Sequence, residues 1–532
     1  MSGSGKNMVL VIGIDGCPWD YLLPLLEAGR LPNLARLMGQ GSYGILRSTV
    51  PPLSPVAWSS FVTGRRPERH GIFDFWHPED EGFRPALASD RAGAPFWRQL
   101  NRAGIGCGVV NIPLSHPPEP MEGFLISGFD APPTPKQKVY PESLHAELRA
   151  TYGAAVLEAP GAAQAQRDPE GFFAAYKEHD RLQTRAAIDL ANKLGLKTIA
   201  INLMFNDHLS HLMADFSYVQ RGLEVSDANI GRFCRAFPEA SVMVISDHGS
   251  SRTRGTFLLF DWLLREGLIK LDPRRAAARR LNTALGAMLK KRWGMRGLAE
   301  KGLRHSLLSL LSLLPVGLQE AMIERVATGE DFYWPWSVID RAASAVAMCS
   351  PAIGGFYLKT QGGHNIEAAE LARRLAELQD STGAAVFSEI NRREQVYGNG
   401  LSPLAPQLMG SSALNLYTSA RIKQSGPLTV NNAAVAYYGN HTPEGIYILW
   451  GAEFAEGWRE PLHIWDVPAM VLRLHGLAIP ADYERTLPEG VLLRPLEHEA
   501  GGTEAEAREG GGKMSAEDMA AVTERLKSLG YM

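Results

Sequence analysis

The sequence predicts an α/β fold in which a mostly parallel sheet is covered by helices on both faces. An apolar segment at residues 8–14 ends in Asp15-Gly16 and precedes a helical pattern over about residues 21–40. The same order recurs at GIGCGVVNIP, KTIAINLM and ASVMVISDHG. Alternating strands and helices are typical of parallel sheets, whose buried strands are continuously apolar. Ligands of such sheets bind beyond the carboxyl ends of the strands.

Length and composition describe an ordinary folded protein. The chain has 532 residues, of which 45% are apolar and 21% charged, and its formal net charge is −3. Single domains usually span roughly 100 to 250 residues, so we expect a large core with appended segments. The nearly neutral charge gives no signature of nucleic-acid binding.

The four cysteines and the N-terminal residues indicate in which cellular compartment we expect the protein. Cysteines stand singly at 17, 107, 234 and 349, so neither a disulfide framework nor a thiolate zinc site is indicated. The leading residues pass directly into an apolar run that is too short for a membrane span and has no signal-cleavage pattern. We therefore expect a cytoplasmic protein with reduced thiols.

Changes in composition along the chain predict its domain organisation. Ten basic residues between Arg274 and Arg304 lie in a helix-rich stretch, and a Gly- and Glu-rich linker follows Pro495. Ser515 and Asp518 form a capping box that starts a short terminal helix. We expect a first part of the core at 7–271, an inserted basic helical cap at 272–330, a second part of the core at 331–494, and a linker with a terminal helix at 495–532.

The cap contains SLLSLLSLLP at residues 306–315, which is apolar but too short to cross a bilayer. With its basic flank it could lie on an anionic membrane or cover an acyl chain. The interpretation we favour is a lid packed on the core with its basic face in water.

Acidic and histidine residues follow several of the apolar runs. Taken alone, each has an ordinary explanation as a helix cap, a turn former, a solvated helix face or a structural histidine. Together they predict a metal centre held rigidly by a buried sheet. The residues concerned are Asp15, Asp207, His211, Asp247, His248 and His441.

Ser54 is the candidate nucleophile. It lies in PPLSPVAWSSFVTG, where a helix is predicted to end near Gly64. A hydroxyl at a helix N-terminus faces unpaired N–H groups and the positive end of the dipole, which favours an alkoxide and an approaching phosphate. The alternative is a plain N-cap serine.

The series IDG, a hydroxyl residue before VTG, PERHGI, DHLSH, SDHG and GNHTPEGI resembles the alkaline phosphatase superfamily. Within it, the series is most similar to the type I phosphodiesterase and nucleotide pyrophosphatase group. The resemblance covers roughly Met8–Arg494 apart from the cap. It implies a three-layer α/β/α sandwich with a mostly parallel central sheet.

The resemblance also implies two divalent metal ions, zinc or alternatively manganese, and a serine that is transiently phosphorylated. One metal would be held by Asp207, His211 and His441. The other would be held by Asp15, Asp247 and His248, with Ser54 Oγ completing its ligands.

Three positions depart from the pattern of that group. Phe75 stands where an Asn usually binds a phosphoryl oxygen, and Pro55 has no N–H to offer an oxyanion. Asn111 could substitute, although a structural turn is the simpler role. The Pro and Arg spacing of sulfatases is absent, and Arg65 and Arg66 lie beyond the predicted helix, which disfavours a phosphomonoesterase clamp.

We therefore expect a two-metal hydrolase that cleaves a small-molecule phosphate ester, most simply a phosphodiester or nucleotide pyrophosphate. The alternatives are a phosphomonoesterase, a phospho-group transferase that passes the phosphoserine to an alcohol, and a metal-bound binding protein without turnover. A dinucleotide-binding oxidoreductase is disfavoured because the spaced glycines of GxGxxG do not follow the first strand.

Overall fold

The computed structural model describes residues 8–79, 82–132, 138–277, 338–348, 355–359, 365–398, 402–413, 416–423, 426–499 and 515–528. Most of the expected basic cap, with the whole SLLSLLSLLP segment, lies outside these residues. Within the described ranges, no helix combines the length and apolarity that a bilayer crossing requires.

The strands of the described residues are short to medium in length. They are β1 Val9–Ile14, β2 Ser42–Arg47, β3 Trp76–Glu79, β4 Gly82–Pro85, β5 Cys107–Ile112, β6 Gly123–Ser127, β7 Val139–Tyr140, β8 Thr198–Leu203, β9 Ser241–Ile245, β10 Gly249–Arg252, β11 Gly255–Leu258, β12 Val346–Met348, β13 Gly355–Leu358, β14 Phe387–Arg392, β15 Leu408–Ser412, β16 Leu416–Ser419, β17 Thr429–Val430, β18 Gly439–Thr442, β19 Glu444–Trp450 and β20 Leu462–His463.

The helices alternate with these strands through much of the chain. They are α1 Trp19–Glu27, α2 Pro32–Gly39, α3 Ser54–Thr63, α4 Pro67–His70, α5 Phe96–Arg102, α6 Ser143–Tyr152, α7 Ala162–Arg167, α8 Pro169–Leu194, α9 Phe205–Leu212, α10 Ser217–Ala236, α11 Leu259–Arg265, α12 Ala368–Ala376, α13 Arg393–Tyr397, α14 Asn432–Val435, α15 Val467–Leu474 and α16 Ala516–Ser528.

The chain divides into two compact units. The first contains the described parts of Met1–Arg254, Arg393–Ala405 and Asn432–Tyr531, and the second contains those of Gly255–Arg392 and Pro406–Asn431. The first unit is thus assembled from distant parts of the sequence. Its first interruption begins at Gly255, whereas we expected the inserted segment to begin at residue 272.

A nine-stranded sheet forms the centre of the first unit, in the order β20-β2-β19-β9-β1-β8-β5-β6-β7. The five strands from β9 to β6 are mutually parallel, and β19 and β7 are antiparallel to their neighbours. The predicted mostly parallel sheet is confirmed. Since β9, β1 and β8 are parallel neighbours, their carboxyl ends lie side by side at one edge.

Two hydrophobic cores cover the two faces of this sheet. On β1, Leu10, Ile12 and Ile14 face a core with α1, α2, α6, α8 and α10. Val9 and Val11 face the opposite core, which contains α3, α5 and α15. Side chains alternate between the faces of a strand, so β1 is apolar throughout because both faces are covered. The first unit is therefore the predicted three-layer α/β/α sandwich.

The second unit contains two smaller sheets and a hydrophobic core of its own. The strand orders are β16-β11-β17 and β12-β13-β15-β14. Its core includes residues of α11 and α12, among them Leu263, Leu371 and Leu375, which are fully buried. It therefore has the apolar interior of a separate compact body.

One local prediction for the first unit is refined by the structure, and a second can be compared with the hydrogen bonds at the terminal helix. The helical pattern over residues 21–40 forms two helices, α1 and α2, separated at Gly29, whose φ is +69°. At the other end of the chain, Ser515 Oγ accepts a hydrogen bond from the Asp518 N–H and donates to its carboxylate. Ser515 thus caps the start of α16 through the N-cap half of the predicted capping box.

Candidate active site

The candidate metal ligands converge at the carboxyl edge of the central sheet. Asp15 follows β1, and Asp207 and His211 lie one turn apart on α9, directly after β8. Asp247 and His248 follow β9. A two-stranded antiparallel sheet then places His441 of β18 opposite Ser250 of β10. All six side chains belong to the first unit and are buried.

The first cluster consists of Asp207, His211 and His441. His211 Nε2 lies 3.1 Å from Asp207 Oδ1 and 2.8 Å from His441 Nε2. His441 Nε2 lies 3.5 Å from the same Asp207 oxygen. One ligand atom from each residue thus faces a common point, within 4.8 Å of the others.

The second cluster consists of Asp15, Asp247 and His248, beside the Ser54 hydroxyl. His248 Nε2 lies 3.3 Å from Asp247 Oδ2 and 3.6 Å from Asp15 Oδ1. Ser54 Oγ lies 3.1 Å from His248 Nε2 and 3.4 Å from Asp15 Oδ1. These two groups of three match the two ligand sets that the resemblance implied.

The three imidazoles are oriented as metal ligands. Their Nδ1 atoms lie 3.2, 2.9 and 3.0 Å from backbone carbonyl oxygens, which can only accept hydrogen bonds. Each Nδ1 therefore carries the hydrogen, and in a neutral ring Nε2 presents a lone pair to the cluster. Burial lowers the pKa of His441 and, to well below its ordinary value, that of His248, which keeps both rings neutral. The respective carbonyls belong to Gly439, Gly249 and Pro52.

The pKa values of the three candidate carboxylate ligands are shifted in different directions. Burial, reinforced by the charge of Asp207, raises the pKa of Asp15 from 3.8 to about 8. Burial and the charges of Asp15 and Asp207 raise that of Asp247 well above its ordinary value. Burial also opposes ionisation of Asp207, but His211 and His441 outweigh it and hold its pKa well below the ordinary value.

Asp247 Oδ2 receives no hydrogen bond from the residues that the structure describes. Crowded buried carboxylates with inward-facing imidazoles are costly without a compensating positive charge. The ligand atoms of each cluster therefore fit a divalent cation. The first cluster offers two imidazoles and one carboxylate, and the second offers one imidazole and two carboxylates. Both sets are suited to zinc.

The two clusters adjoin each other. The His248 and His441 rings stack with centroids 3.8 Å apart. Gly16, with φ +65°, allows the backbone to turn beside the second cluster, and a Cβ at this position would lie 2.7 Å from Asp207 Oδ1. The glycine of the IDG motif is therefore required by a close approach as well as by its backbone conformation.

Ser54 is the first residue of α3, and its side chain is fully buried. The predicted end of this helix is confirmed, because Gly64 caps it in the left-handed conformation. The prediction that several unpaired N–H groups face Ser54 is wrong. Val56 and Ala57 donate to the Leu53 carbonyl, and Pro55 has no N–H. The helix start therefore offers Ser54 the positive end of the dipole rather than several free donors.

Two residues that sequence reasoning missed as parts of the centre hold Asp15 in place. Asp15 Oδ2 accepts hydrogen bonds from Asn202 Nδ2 at 2.7 Å and from Trp58 Nε1 at 3.0 Å. Trp58 fits over Gly13, where an added Cβ would lie 2.6 Å from the indole ring. The available signal was Asn202, an amide side chain in the interior of strand β8, whose other residues after Thr198 are apolar.

Tyr437 was also missed as a neighbour of the first cluster. Its ring stacks on His211, with centroids 4.5 Å apart and an interplanar angle of 18°. The preceding residue, Ala436, has a φ of +52°, which is uncommon for a residue with a Cβ. Ala436 and Tyr437 lie five and four residues before His441 in the sequence.

Asn111, the possible substitute for the missing phosphoryl donor, has a structural role. Asn111 is buried with φ +56°, and its amide donates to the Asn202 carbonyl. Phe75 is buried against Phe129, and Trp58 and Trp76 are buried too. Phe75 and Trp76 therefore have packing roles.

The two arginines after α3 are engaged elsewhere. Arg65 forms an ion pair with Asp482. Arg66 lies 3.2 Å from Glu68 and donates to the Val396 carbonyl at 3.0 Å. Neither interaction involves the two clusters, which agrees with the expectation that these arginines do not clamp a phosphate dianion.

A profile described as type I phosphodiesterase / nucleotide pyrophosphatase matches residues 9–305, more than half of the chain. The chain belongs to this family. The matched segment includes Ser54 and five of the six candidate ligands, while His441 lies beyond it. The family consists of phosphate-ester hydrolases and is metal-dependent, in agreement with the ligand groups described above.

Solved structures show that the type I phosphodiesterase fold extends over most of the chain. Phosphonoacetate hydrolase from Sinorhizobium meliloti 1021 is 14% identical with a TM-score of 0.53, and the match covers 87% of this chain and 94% of that one. Human ectonucleotide pyrophosphatase / phosphodiesterase 5 is 13% identical with a TM-score of 0.50, covering 92% and 100%. No curated protein sequence matches the chain.

Proposed function

We propose that the protein is a two-metal hydrolase of phosphate esters, acting on phosphodiesters or nucleotide pyrophosphates through a phosphoserine at Ser54. The observation that carries this proposal is the position of the Ser54 hydroxyl, 3.1 Å from His248 Nε2 and 3.4 Å from Asp15 Oδ1. A serine at a helix start, beside one ligand cluster and close to a second, has the surroundings of an activated nucleophile.

Asp207, His211 and His441 would hold one cation, and Asp15, Asp247 and His248 the other. Bound divalent cations, for which zinc fits the donor set, would lower the pKa of the serine hydroxyl and neutralise charge on the phosphoryl and leaving oxygens. Trp58 and Asn202 fix the Asp15 carboxylate, and the Nδ1 hydrogen bonds fix the three imidazoles. The chain's own contribution is this rigid orientation of the ligands.

The reaction proposed for Ser54 has two steps. Ser54 Oγ forms a bond to phosphorus as the bond between phosphorus and the ester oxygen breaks, and the proton of the serine hydroxyl is carried away by the departing alcohol. Water then attacks the phosphoserine, which releases the phosphate product and restores the serine hydroxyl. Pro55, the second residue of α3, has no N–H, so the helix start contributes the positive end of its dipole to the serine oxygen but no hydrogen bond from that position.

The surroundings of Ser54 support a diester over a monoester. A monoester dianion carries one more negative charge and calls for a cationic clamp. Arg65 and Arg66, the first arginines after Ser54 in sequence, are engaged with other partners. The family description supports the same preference.

Turnover of bis-p-nitrophenyl phosphate and p-nitrophenyl phosphate by the zinc-loaded protein tests this proposal. We expect metal-dependent cleavage with a higher kcat/KM for the diester, and loss of that activity when a chelator removes the metal. A higher kcat/KM for the monoester would contradict the diester assignment. Equal turnover before and after chelation would contradict the metal-dependent mechanism.

A further inference from the structure

A buried tyrosine–histidine pair lies directly beside the first cluster and has no part in the mechanism so far. His208 follows the candidate ligand Asp207 on α9, and its Nδ1 lies 2.5 Å from the Tyr176 hydroxyl on α8. Both side chains are buried. Tyr176 is fixed by stacking on Phe205, with centroids 4.9 Å apart and an interplanar angle of 8°.

The other imidazole nitrogen is the unusual atom of this pair. His208 Nε2 is buried and makes no hydrogen bond with the residues that the structure describes. Buried side-chain nitrogens in folded proteins are nearly always paired, because an unpaired one loses its hydrogen bonds to water without replacement. Such an atom beside a candidate active site calls for an explanation.

Counting protons indicates that His208 Nε2 is a donor. If the Tyr176 hydroxyl donates to Nδ1, both of those groups are satisfied and Nε2 carries the hydrogen. If a neutral His208 instead donated from Nδ1, the phenol hydrogen and the Nε2 lone pair would each need another partner. A doubly protonated ring would also carry a hydrogen on Nε2. The arrangement with the fewest unsatisfied groups thus presents Nε2–H.

The His208 ring borders aromatic side chains that offer no hydrogen-bond donor. The His208 ring packs edge-on against Phe129, which follows β6, and Phe129 packs against Phe75. Both phenylalanine rings are apolar and offer no donor. At Ser54, Pro55 lacks an N–H, and the N–H groups of Val56 and Ala57 are used within the helix. A phosphate oxygen beside this wall needs a side-chain donor.

We propose that His208 Nε2–H binds a non-bridging oxygen of the phosphate group, and that Tyr176 is a positioning residue that directs the hydrogen to Nε2. This inference rests on the proposed function, because it assigns a donor to the same site. It predicts a contribution to phosphate binding that is independent of the metal ligands.

Isothermal titration of the zinc-loaded protein with inorganic phosphate, with zinc content and Tm measured for each variant, tests the assignment. His208→Asn keeps a polar group near Nδ1 but places none near Nε2, whereas His208→Gln places an amide near Nε2. We expect His208→Asn to weaken the phosphate Kd by about tenfold or more and His208→Gln by about threefold or less, since hydrogen bonds to charged groups have this strength. His475→Asn is the matched control, because His475 is a buried imidazole that forms a hydrogen bond with Thr198 Oγ1 at the start of β8, the end of the strand away from α9.

Tyr176→Phe provides a second variant that retains the ring packing. We expect it to weaken phosphate binding by a smaller factor than His208→Asn, at unchanged zinc content. If His208→Asn retains its zinc and binds phosphate as wild type does, the assignment is wrong. If His208→Asn loses zinc, wild-type phosphate affinity in Tyr176→Phe overturns it. A wild-type protein that takes up zinc but neither binds phosphate nor cleaves an ester would instead overturn the proposed function.

Discussion

His211 Nε2 lies 2.8 Å from His441 Nε2, although the Nδ1 of each ring is directed at a backbone carbonyl. In the neutral rings, two lone pairs would meet at this distance unless a cation lies between them. His248 repeats the orientation in the second cluster, with Nδ1 on the Gly249 carbonyl. The backbone thus prepares both groups of ligands for positive charge.

The first prediction concerns zinc stoichiometry. We expect the wild-type protein to bind two zinc ions per chain and His441→Ala to bind about one tightly, because that substitution removes a ligand from only one cluster. Metal analysis after dialysis measures this. His463→Ala is the control, since His463 is partly exposed and belongs to neither cluster. Two tightly bound ions in His441→Ala would contradict the ligand assignment.

The second prediction concerns the metal-free protein at different pH values. The pKa of Asp15 is raised from 3.8 to about 8, so its stabilising contribution is complete below pH 4 and is lost as pH rises towards 8. Histidines with a lowered pKa act in the opposite direction below about pH 6.5. We therefore expect Tm to fall from pH 6.5 to 8 after chelation.

Zinc should reverse this trend, because it binds the ionised carboxylate and stabilises only the folded state. Differential scanning calorimetry with and without chelator measures both slopes, and Asp15→Asn should flatten the metal-free one. A metal-free Tm that is constant or rises over this pH range would contradict the prediction that ionisation of Asp15 destabilises the metal-free protein.

The third prediction compares two glycines in the left-handed conformation. Gly16→Ala combines backbone strain with a Cβ 2.7 Å from Asp207 Oδ1, while Gly29→Ala has the strain but no atom within 4 Å. We expect both to lose about 1–2 kcal/mol of unfolding free energy. Only Gly16→Ala should also reduce kcat/KM, by about 100-fold. Equal activities in the two variants would show that the close approach to Asp207 is unimportant.

The fourth prediction concerns the hydrogen bonds that orient Asp15. Trp58→Phe and Asn202→Ala each remove one donor to Asp15 Oδ2, and we expect about 10- to 100-fold losses of zinc affinity or activity. Trp97→Phe is the matched control, because Trp97 is equally buried but donates to Glu119. Zinc competition titrations should separate the two tryptophan variants, and indistinguishable affinities would argue against this role for Trp58.

The fold and the acidic residues at strand ends could be predicted from local patterns, whereas the division of the six candidate ligands into two sets came from the resemblance. A buried parallel strand is recognisable as an apolar run, and Asp15, Asp207 and Asp247 each follow one. The pairing of His441 with its partners required the resemblance, since β18 meets β10 across a long stretch of sequence. Nothing in the local pattern indicates that contact.

The residues that surround and orient the candidate ligands were harder to predict. Trp58 points inward to Asp15, because the absence of a side chain at Gly13 gives room for the indole, and no local pattern indicates this contact. The hydrogen bonds within the first turn of α3 depend on the backbone at Leu53, which residue types alone do not determine. The pairing of Tyr176 with His208 likewise depends on how α8 packs beside α9.

The most direct test of the central claim is zinc-loaded turnover of bis-p-nitrophenyl phosphate by Ser54→Ala beside Ser59→Ala. Both serines are buried on α3, but Ser59 lies outside the two clusters. We predict that Ser54→Ala retains its zinc and loses at least 1,000-fold in kcat, as expected for an absent nucleophile, while Ser59→Ala keeps near wild-type turnover. Diester cleavage by zinc-loaded Ser54→Ala at the wild-type rate would contradict the account.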